Sequence, residues 1–302
     1  MDGSIYEYMR IGVVHCMAFP ACITGEGPIL ETVTQIAEDP FFNAIEITGI
    51  HSADTRANVR DVLKTAGLAC AYAAQPAVLT QKLNPNSFCE DERTAAVTAL
   101  KERVDEAREV GATSLALLSG PDPGAARREE AIGILARSLR ELCDYGLDSD
   151  VAITLETFDR TIDKRALIGP SDDAVTLARL VNRDNFGLMV DLSHLPLQFE
   201  SAQKALTATQ YDLVHVHIGN CVMRDPDHPA YGDQHPHFGV EGGENGVDEL
   251  VEFLRVLMDI EYLTPSDDPP LVSFEVKPME GQSSEVVLAN AKRTLTEAWA
   301  RL

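Results

Sequence analysis

Short apolar segments alternate with amphipathic segments along the whole chain. The apolar segments are rich in β-branched and aliphatic residues and carry almost no charge before their last positions, which is typical of strands buried on both faces of a parallel sheet. Eight of them predict strands: RIGVVHCMAF, AIEIT, ACAYAA, SLALLS, AITLETF, FGLMVDL, LVHVHIG and LVSFEV.

Helix-length segments lie between these strands, and several place apolar residues three and four positions apart. Eight strands, each followed by a helix, in a chain of 302 residues predict a single (β/α)8 TIM barrel that spans residues 1–302 as one α/β domain. An open doubly wound sheet is the alternative architecture. The longest non-helical stretch follows the seventh strand, and long loops inside compact domains tend to be functional.

The charge balance restricts the classes of partner. The chain has 25 basic and 48 acidic residues, which gives a net charge of −23. Such a surface repels phosphate backbones and anionic lipids, so we expect neither nucleic acid nor membrane as a partner. A divalent cation is still attracted, and a neutral substrate is not hindered.

The cysteines and the N-terminus bear on the compartment. Six cysteines are scattered without a CxxC pair, which favours free thiols in a reducing cytosol over a disulfide framework. The first residues lack a basic region followed by an apolar stretch and a cleavage site. No apolar run approaches the roughly 20 residues that cross a bilayer. We therefore expect a cytoplasmic protein.

Charged residues fall at the ends of the last four predicted strands. Glu156 ends AITLE, Asp191 ends FGLMVD, His217 lies near the end of LVHVH, and Glu275 lies near the end of LVSFE. Because catalytic groups of barrels collect at the carboxyl ends of strands, these four predict a site for one divalent cation. Oxygen ligands with one imidazole suit Mn²⁺ first, and Mg²⁺, Co²⁺ or Zn²⁺ also.

Each of these residues also has a simpler interpretation. A single carboxylate at a strand end is commonly a helix cap or a salt-bridge partner. His215 and His217 alternate on one strand and face the same side, so one of them fits a hydrogen-bonded core histidine. Four such residues on four consecutive strands favour the cation site.

The stretch from Leu213 to Gly246 contains five of the eight histidines. We expect the loop after the seventh strand to bring polar residues toward the cation, where they contact a bound substrate or transfer a proton: Arg224, Asp225, His228, Asp233, His235 and His237. Lys277 lies two residues beyond Glu275 on the same side of its strand, and His15 lies at the end of the first strand. Both are further candidates for substrate binding.

The motifs TLETFD, MVDLSH, VHVHIGN and SFEVKP resemble those of the xylose isomerase-like barrel superfamily, which includes sugar isomerases, sugar epimerases and endonuclease IV. The resemblance implies that Glu156, Asp191, His217 and Glu275 bind the catalytic divalent ion. It also implies that the two glutamates act as acid and base on either face of a sugar, and that His194 contacts the substrate.

The resemblance implies chemistry on a keto-sugar, in which a proton leaves the carbon next to the carbonyl. Reprotonation gives an epimer or an isomer, and a leaving group β to the carbonyl makes the enzyme a lyase. The passages CMAFPACITGEGPILET and FFNAIEITGI are similar to barrels that include catalytic subunits of C-glycoside deglycosidases. Those act on 3-oxo-glucosides by β-elimination with a small β-sheet partner subunit, so the likeness implies an oligomer.

Two other functions stay open at this point. Endonuclease IV carries a DxH pair after the seventh strand, and GDQHPHFG supplies Asp233 and His235. That family also needs metal-binding histidines after earlier strands, whereas AYAAQP and LALLSG contain none. With the net charge, this argues against a phosphoesterase. A non-catalytic sugar-binding barrel is the other alternative.

Overall fold

Eight parallel strands form the inner wall of the molecule in this computed structural model, which describes residues 3–302. They are β1 (Arg10–Val13), β2 (Ala44–Ile47), β3 (Ala69–Ala73), β4 (Ser114–Leu118), β5 (Ala152–Glu156), β6 (Phe186–Asp191), β7 (Leu213–Gly219) and β8 (Leu271–Glu275). Every paired strand runs parallel to its neighbour, in the order β1-β8-β7-β6-β5-β4-β3-β2. The predicted (β/α)8 barrel is confirmed.

The barrel is nearly closed, with its seam between β1 and β2. Within residues 3–302 these two edges share one isolated parallel bridge, between Val14 and Glu46, in place of a full ladder. The seam therefore lies beside a charged residue of β2, which faces the interior.

Helices surround the strands and bury their apolar faces against the barrel. They are α1 (Ile5–Tyr8), α2 (His15–Ala18), α3 (Ile29–Glu38), α4 (Ala53–Ala66), α5 (Gln75–Thr80), α6 (Glu90–Val110), α7 (Arg128–Leu147), α8 (Ser171–Val181), α9 (His194–Gln198), α10 (Ala202–Thr209), α11 (Val247–Asp259) and α12 (Ser284–Ala300). Gly67 and Gly111 end α4 and α6 in the left-handed conformation, which glycine adopts without steric cost. Among the described residues, no helix has both the length and the apolar character needed to cross a bilayer.

The first predicted strand is too long. RIGVVHCMAF forms a strand only as far as Val13, and His15 begins the one-turn helix α2 instead of ending β1. A continuous apolar run does not distinguish a buried strand from a buried helical turn, so its periodicity gave no boundary.

The long loop after β7, residues 220–246, is held at both ends by asparagines. The Asn245 backbone N–H donates to Asn220 Oδ1 at 2.8 Å, and Asn245 Nδ2 donates to the carbonyl oxygens of Leu192 and Gly219 at 3.2 and 3.1 Å. Both side chains are buried. This anchoring places the loop over the carboxyl ends of β6, β7 and β8.

Candidate metal and sugar site

Four predicted residues meet at the carboxyl end of the barrel. Glu156, Asp191 and Glu275 are the last residues of β5, β6 and β8, and His217 lies two positions before the end of β7. One ligand atom from each of the four lies within 4.8 Å of the others. Opposite ligands of an octahedral ion lie about 4 Å apart, so the group has the dimensions of a divalent-cation site.

Two buried carboxylate oxygens of this group are suited to bind a metal ion. Glu156 Oε2 accepts a hydrogen bond from Gln75 Nε2 at 2.8 Å, and Asp191 Oδ1 accepts one from the Ser193 backbone N–H at 2.6 Å. The other oxygens, Glu156 Oε1 and Asp191 Oδ2, are buried and have no hydrogen-bond partner in the described part of the chain. Buried acceptors are normally satisfied, and a cation would satisfy both, so the donor set fits a divalent metal ion.

The ring of His217 is oriented from both sides. Its Nδ1 lies 2.7 Å from Glu275 Oε2, 3.6 Å from Glu156 Oε1 and 4.0 Å from Asp191 Oδ2. Its Nε2 lies 2.9 Å from Glu46 Oε1. The nitrogen that faces Glu156, Asp191 and Glu275 is therefore Nδ1.

Burial and charge shift the pKa values of this group in the ion-free protein. Burial raises the pKa of the Asp191 carboxyl. Burial opposes a charge on His217, but Glu46 and Glu275 outweigh that effect and raise its pKa well above the usual value. Without an ion, protons therefore provide part of the positive charge that the carboxylates require.

A second polar cluster lies next to the first and centres on Asp233. Asp233 Oδ1 lies 2.9 Å from His194 Nε2 and 2.7 Å from His235 Nε2. His194 Nδ1 lies 2.8 Å from the Thr157 carbonyl oxygen. Burial lowers the pKa of a histidine, but the neighbouring carboxylates raise that of His235 to about 9 and that of His194 well above its usual value. Both imidazoles thus carry a positive charge beside the Asp233 carboxylate.

Lys164, which sequence analysis missed, completes this cluster. Its Nζ lies 2.8 Å from Asp233 Oδ2, and its side chain is only 17% exposed. The backbone N–H groups of residues 162–164 donate to the Asp159 carboxylate, which fixes the loop after β5. Burial opposes the charge of Lys164, but Asp233 and Asp163 raise its pKa. No sequence signature in this loop distinguishes Lys164 from a surface lysine.

Glu46 of β2 was also missed. It is fully buried, and its Oε1 lies 2.9 Å from Nε2 of both His215 and His217. Burial would raise its pKa, but the two imidazoles hold the pKa well below the usual value. A charged residue between two isoleucines in a buried strand was the available signal.

The predicted loop residues differ in where they lie. Asp233 and His235 reach the site, and His235 adopts a left-handed backbone with φ of 50°, which is uncommon for a residue other than glycine. The Lys277 backbone N–H donates to the His235 carbonyl oxygen at 2.7 Å. Lys277 and His235 both line a cavity at this end of the barrel. Gly219 at the end of β7 allows the backbone of β8 to approach closely, because a Cβ at Gly219 would lie 2.5 Å from the Glu275 carbonyl oxygen.

Other predicted substrate residues lie away from the site. His15 is buried, and its Nε2 hydrogen-bonds Thr32 Oγ1 of α3 at 2.7 Å. Arg224 is 82% exposed and pairs with Glu244. His228 Nδ1 accepts from the Ala230 backbone N–H at 3.0 Å within the loop. The structure does not bring these three side chains to the cation group.

A cavity of about 220 Å³ opens onto the two clusters. Its floor is polar and includes His217, Asp233, His235 and Glu275. One wall is apolar and comes mainly from the segments after β1 and β3: Val14, Met17, Ile23, Pro76, Leu79 and Phe158. Ile23 and Leu79 remain exposed, so the pocket has an apolar wall beside a polar floor.

Comparison with known proteins identifies the type of barrel. A family model described as Xylose isomerase-like TIM barrel matches residues 37–291. This confirms the predicted resemblance to that superfamily. A search among curated proteins finds no match to this chain.

Solved structures with the same fold include sugar epimerases. A D-psicose 3-epimerase from Clostridium cellulolyticum H10, solved with D-tagatose, is 16% identical with a TM-score of 0.70, covering 97% of this chain and 99% of that chain. A 3-keto-D-glucoside 4-epimerase from E. coli is 17% identical with a TM-score of 0.68, covering 97% and 99%. The IOLI protein with a binding zinc atom is 17% identical with a TM-score of 0.73, also covering 97% and 99%. At these identities the likeness establishes the fold.

Proposed function

Because the chain belongs to the xylose isomerase-like TIM barrel family, and because its last four strands converge on one ion-sized group, we propose that it is a divalent-metal-dependent sugar isomerase or epimerase. Its reaction removes a proton next to the carbonyl of a keto-sugar and returns it. The main support is the pair of buried oxygens of Glu156 and Asp191 that have no hydrogen-bond partner within residues 3–302 and lie beside His217 and Glu275.

Glu156, Asp191, His217 and Glu275 would hold the ion, with Mn²⁺ as the first expectation. The bound ion supplies a Lewis acid that polarises a sugar carbonyl and stabilises negative charge on its oxygen. The chain itself supplies the orientation of the ligands, through Gln75 on Glu156 and Glu46 on His217.

Glu156 and Glu275 would carry the proton steps. One carboxylate takes the proton from the carbon next to the carbonyl, which leaves an enediolate, and a carboxylic acid on the other face returns a proton. Return to the same carbon gives an epimer and return to the neighbouring carbon gives an isomer, so no net proton is consumed. Such acid–base catalysis contributes about 10²–10⁴-fold in rate.

The cluster around Asp233 would bind sugar hydroxyls. His194, His235 and Lys164 offer N–H donors, and Asp233 offers an acceptor. Lys164, Asp233 and His235 line the cavity. Lys277 lines the same cavity, where its Nζ lies 3.5 Å from Gln234 Oε1. These groups position the substrate relative to the two glutamates.

The apolar wall supports a 3-oxo-glucoside with an apolar aglycone as the substrate. A free ketohexose has little apolar surface for Met17, Ile23 and Leu79, whereas an aglycone would cover them. If that aglycone is a leaving group β to the carbonyl, the same enolate expels it with its bonding electron pair. A proton then neutralises the departing group, and the enzyme acts as a lyase of the C-glycoside deglycosidase type.

An endonuclease-like reaction is less well supported. Asp191, His194 and His235 also form a group with ligand spacing, which a second ion would need. The Lys164 ammonium already lies on Asp233, however, and it would repel a second dication at this place. The charge of −23 further disfavours a DNA substrate.

One incubation tests the proposal. The purified protein with Mn²⁺ is mixed in D₂O with ketohexoses and with an aryl 3-oxo-glucoside, and products are followed by NMR. We expect deuterium on the carbon next to the carbonyl. Deuterated epimer without aglycone favours the epimerase, and release of aglycone favours the lyase.

A matched pair of variants locates the reaction. Glu275→Gln is expected to abolish deuterium incorporation, and Glu280→Gln, which changes an exposed glutamate five residues later, is expected to retain it. Full activity of Glu275→Gln, or of protein free of divalent metal, would refute the proposal.

We also expect a cytoplasmic oligomer, with a small β-sheet partner subunit for the lyase. All six cysteines are free, which supports a reducing compartment. Light scattering of the purified chain measures the subunit number.

A further inference from the structure

Glu46 makes an unusual contact across the barrel. It lies in β2 between Ile45 and Ile47 and has no exposed surface. Its Oε1 lies 2.9 Å from Nε2 of His215 and 2.9 Å from Nε2 of His217, both on β7. Strands β2 and β7 are not neighbours, because β1 and β8 lie between them around the wall. The Glu46 side chain therefore reaches from β2 across the interior of the barrel to β7.

The contact bears on which nitrogen of His217 can bind a cation. A neutral imidazole carries its proton on one nitrogen and offers a lone pair from the other. Nδ1 faces Glu156, Asp191 and Glu275, and its lone pair would bind a cation held among these carboxylates. The Glu46 carboxylate beside Nε2 would then keep the remaining proton on that nitrogen.

We propose that Glu46 is the positioning residue that presents Nδ1 of His217 to the divalent cation, with His215 as a second donor that fixes the Glu46 carboxylate. This inference rests on the proposed function, since it requires the cation site. Carboxylates behind metal-bound histidines fix ring orientation and raise ligand basicity.

His215 is needed to hold the Glu46 carboxylate in place. The Glu46 carboxylate is fully buried, so water does not restrain it and protein groups must do so. The Nε2–H of His215 donates to Glu46 Oε1 and restrains the side chain from the strand that carries His217. His215 is itself buried and packs edge-on against the His217 ring, with 5.0 Å between the ring centroids. Its hydrogen bond goes to Glu46, so its polar role runs through that carboxylate.

The test measures cation affinity instead of activity. The ion-free protein and its Glu46→Gln variant are titrated with Co²⁺, and the dissociation constant is obtained from the visible spectrum or from calorimetry. Glu46→Gln keeps the shape and removes the charge, and we expect it to bind Co²⁺ about 10–100-fold more weakly. His215→Asn is expected to weaken binding by a smaller factor.

A matched control separates this role from a structural one. Glu106 of α6 is also a buried carboxylate, and it accepts hydrogen bonds from Tyr72 and from the backbone of Ile50, outside the cation site. Glu106→Gln removes an equivalent buried charge, so it is expected to lower the thermal unfolding temperature and leave Co²⁺ affinity unchanged.

The outcomes distinguish the positioning role of Glu46 from the cation site itself. Wild-type affinity in Glu46→Gln overturns the positioning role and leaves the proposed function standing. Failure of the wild-type protein to bind Co²⁺ overturns the cation site and this inference with it. If Glu46→Gln does not fold, Glu46→Asp serves instead, because its carboxylate lies one methylene further from the ring. We expect it to weaken binding about tenfold, and wild-type affinity would again overturn the role.

Discussion

The two halves of the barrel share one architecture and differ in chemistry. Strands β5, β6 and β8 end in carboxylates, and β7 carries His217 near its end. Strands β1 to β4 end in the apolar residues Val13, Ile47, Ala73 and Leu118. The fold brings all eight ends to one face, so the residue types alone decide that the ion-sized group lies on one side and an apolar wall on the other.

Residues of the first half nevertheless orient the candidate ligands of the second half. Glu46 of β2 holds the ring of His217, and Gln75, which follows β3, donates to Glu156. The division is thus between residues that would touch an ion and residues that orient them. Four experiments test this division.

Asp191→Asn tests the half of the barrel that carries the candidate cation ligands. It removes one charge from the ion-sized group and keeps an oxygen for the Ser193 backbone N–H. We expect a loss of turnover greater than about 100-fold, because even partners behind metal ligands contribute 10–100-fold to affinity. Thermal unfolding of the ion-free variant should occur no lower than in wild type, since a buried carboxyl with a raised pKa disappears. Retained turnover would contradict the assignment.

Leu115→Ala tests the first half. Leu115 of β4 is fully buried in the apolar core, and its truncation is expected to lower the free energy of unfolding by about 2–5 kcal/mol. Chemical denaturation measures this change. Co²⁺ affinity of the folded variant should equal that of wild type, and a large loss of affinity would show that the halves are not separable in this way.

His15→Gln tests whether His15 is a buried, neutral residue of the first half of the barrel, outside the candidate site. Burial lowers the pKa of His15 to about 4 from 6.5, so the unfolded chain binds a proton between these values and the folded chain does not. Stability therefore falls as pH decreases through this window, by up to about 3 kcal/mol. Denaturation at pH 7 and pH 4 should show a smaller loss in His15→Gln, which retains a donor for Thr32. Equal losses would contradict the shifted pKa.

Leu79→Ala tests the apolar wall. Leu79 is 41% exposed and lines the cavity, so its truncation is expected to remove about 1 kcal/mol of binding to an aglycone. We expect KM for an aryl 3-oxo-glucoside to rise about fivefold, with no change for a ketohexose. Leu147→Ala, at an exposed leucine at the end of α7, is the control. A matching rise for both substrates would argue against an aglycone on this wall.

The sequence was informative where one strand carries its own signal. Glu156, Asp191 and Glu275 follow apolar runs directly, so each could be placed at a strand end without knowing its neighbours. Asp233 and His235 belong to a short DxH pattern. All five lie at the candidate site.

The sequence was uninformative where a role depends on a distant partner. Glu46 meets residues 169 and 171 positions away, and Lys164 meets Asp233 69 positions away. Neither contact leaves a periodic pattern. His15 was misplaced because its apolar surroundings fit both a strand and a helical turn. Arg224 and His228 were included because their loop is polar, and composition alone does not give the direction of a side chain.

The number of divalent ions that the chain binds tests the proposed cation site most directly. Equilibrium dialysis of ion-free protein against Mn²⁺, followed by metal analysis, is expected to give one ion per chain for wild type. It is expected to give none for a variant that combines Glu156→Gln with Asp191→Asn. No ion in the wild-type protein, or one ion in both proteins, would contradict the account.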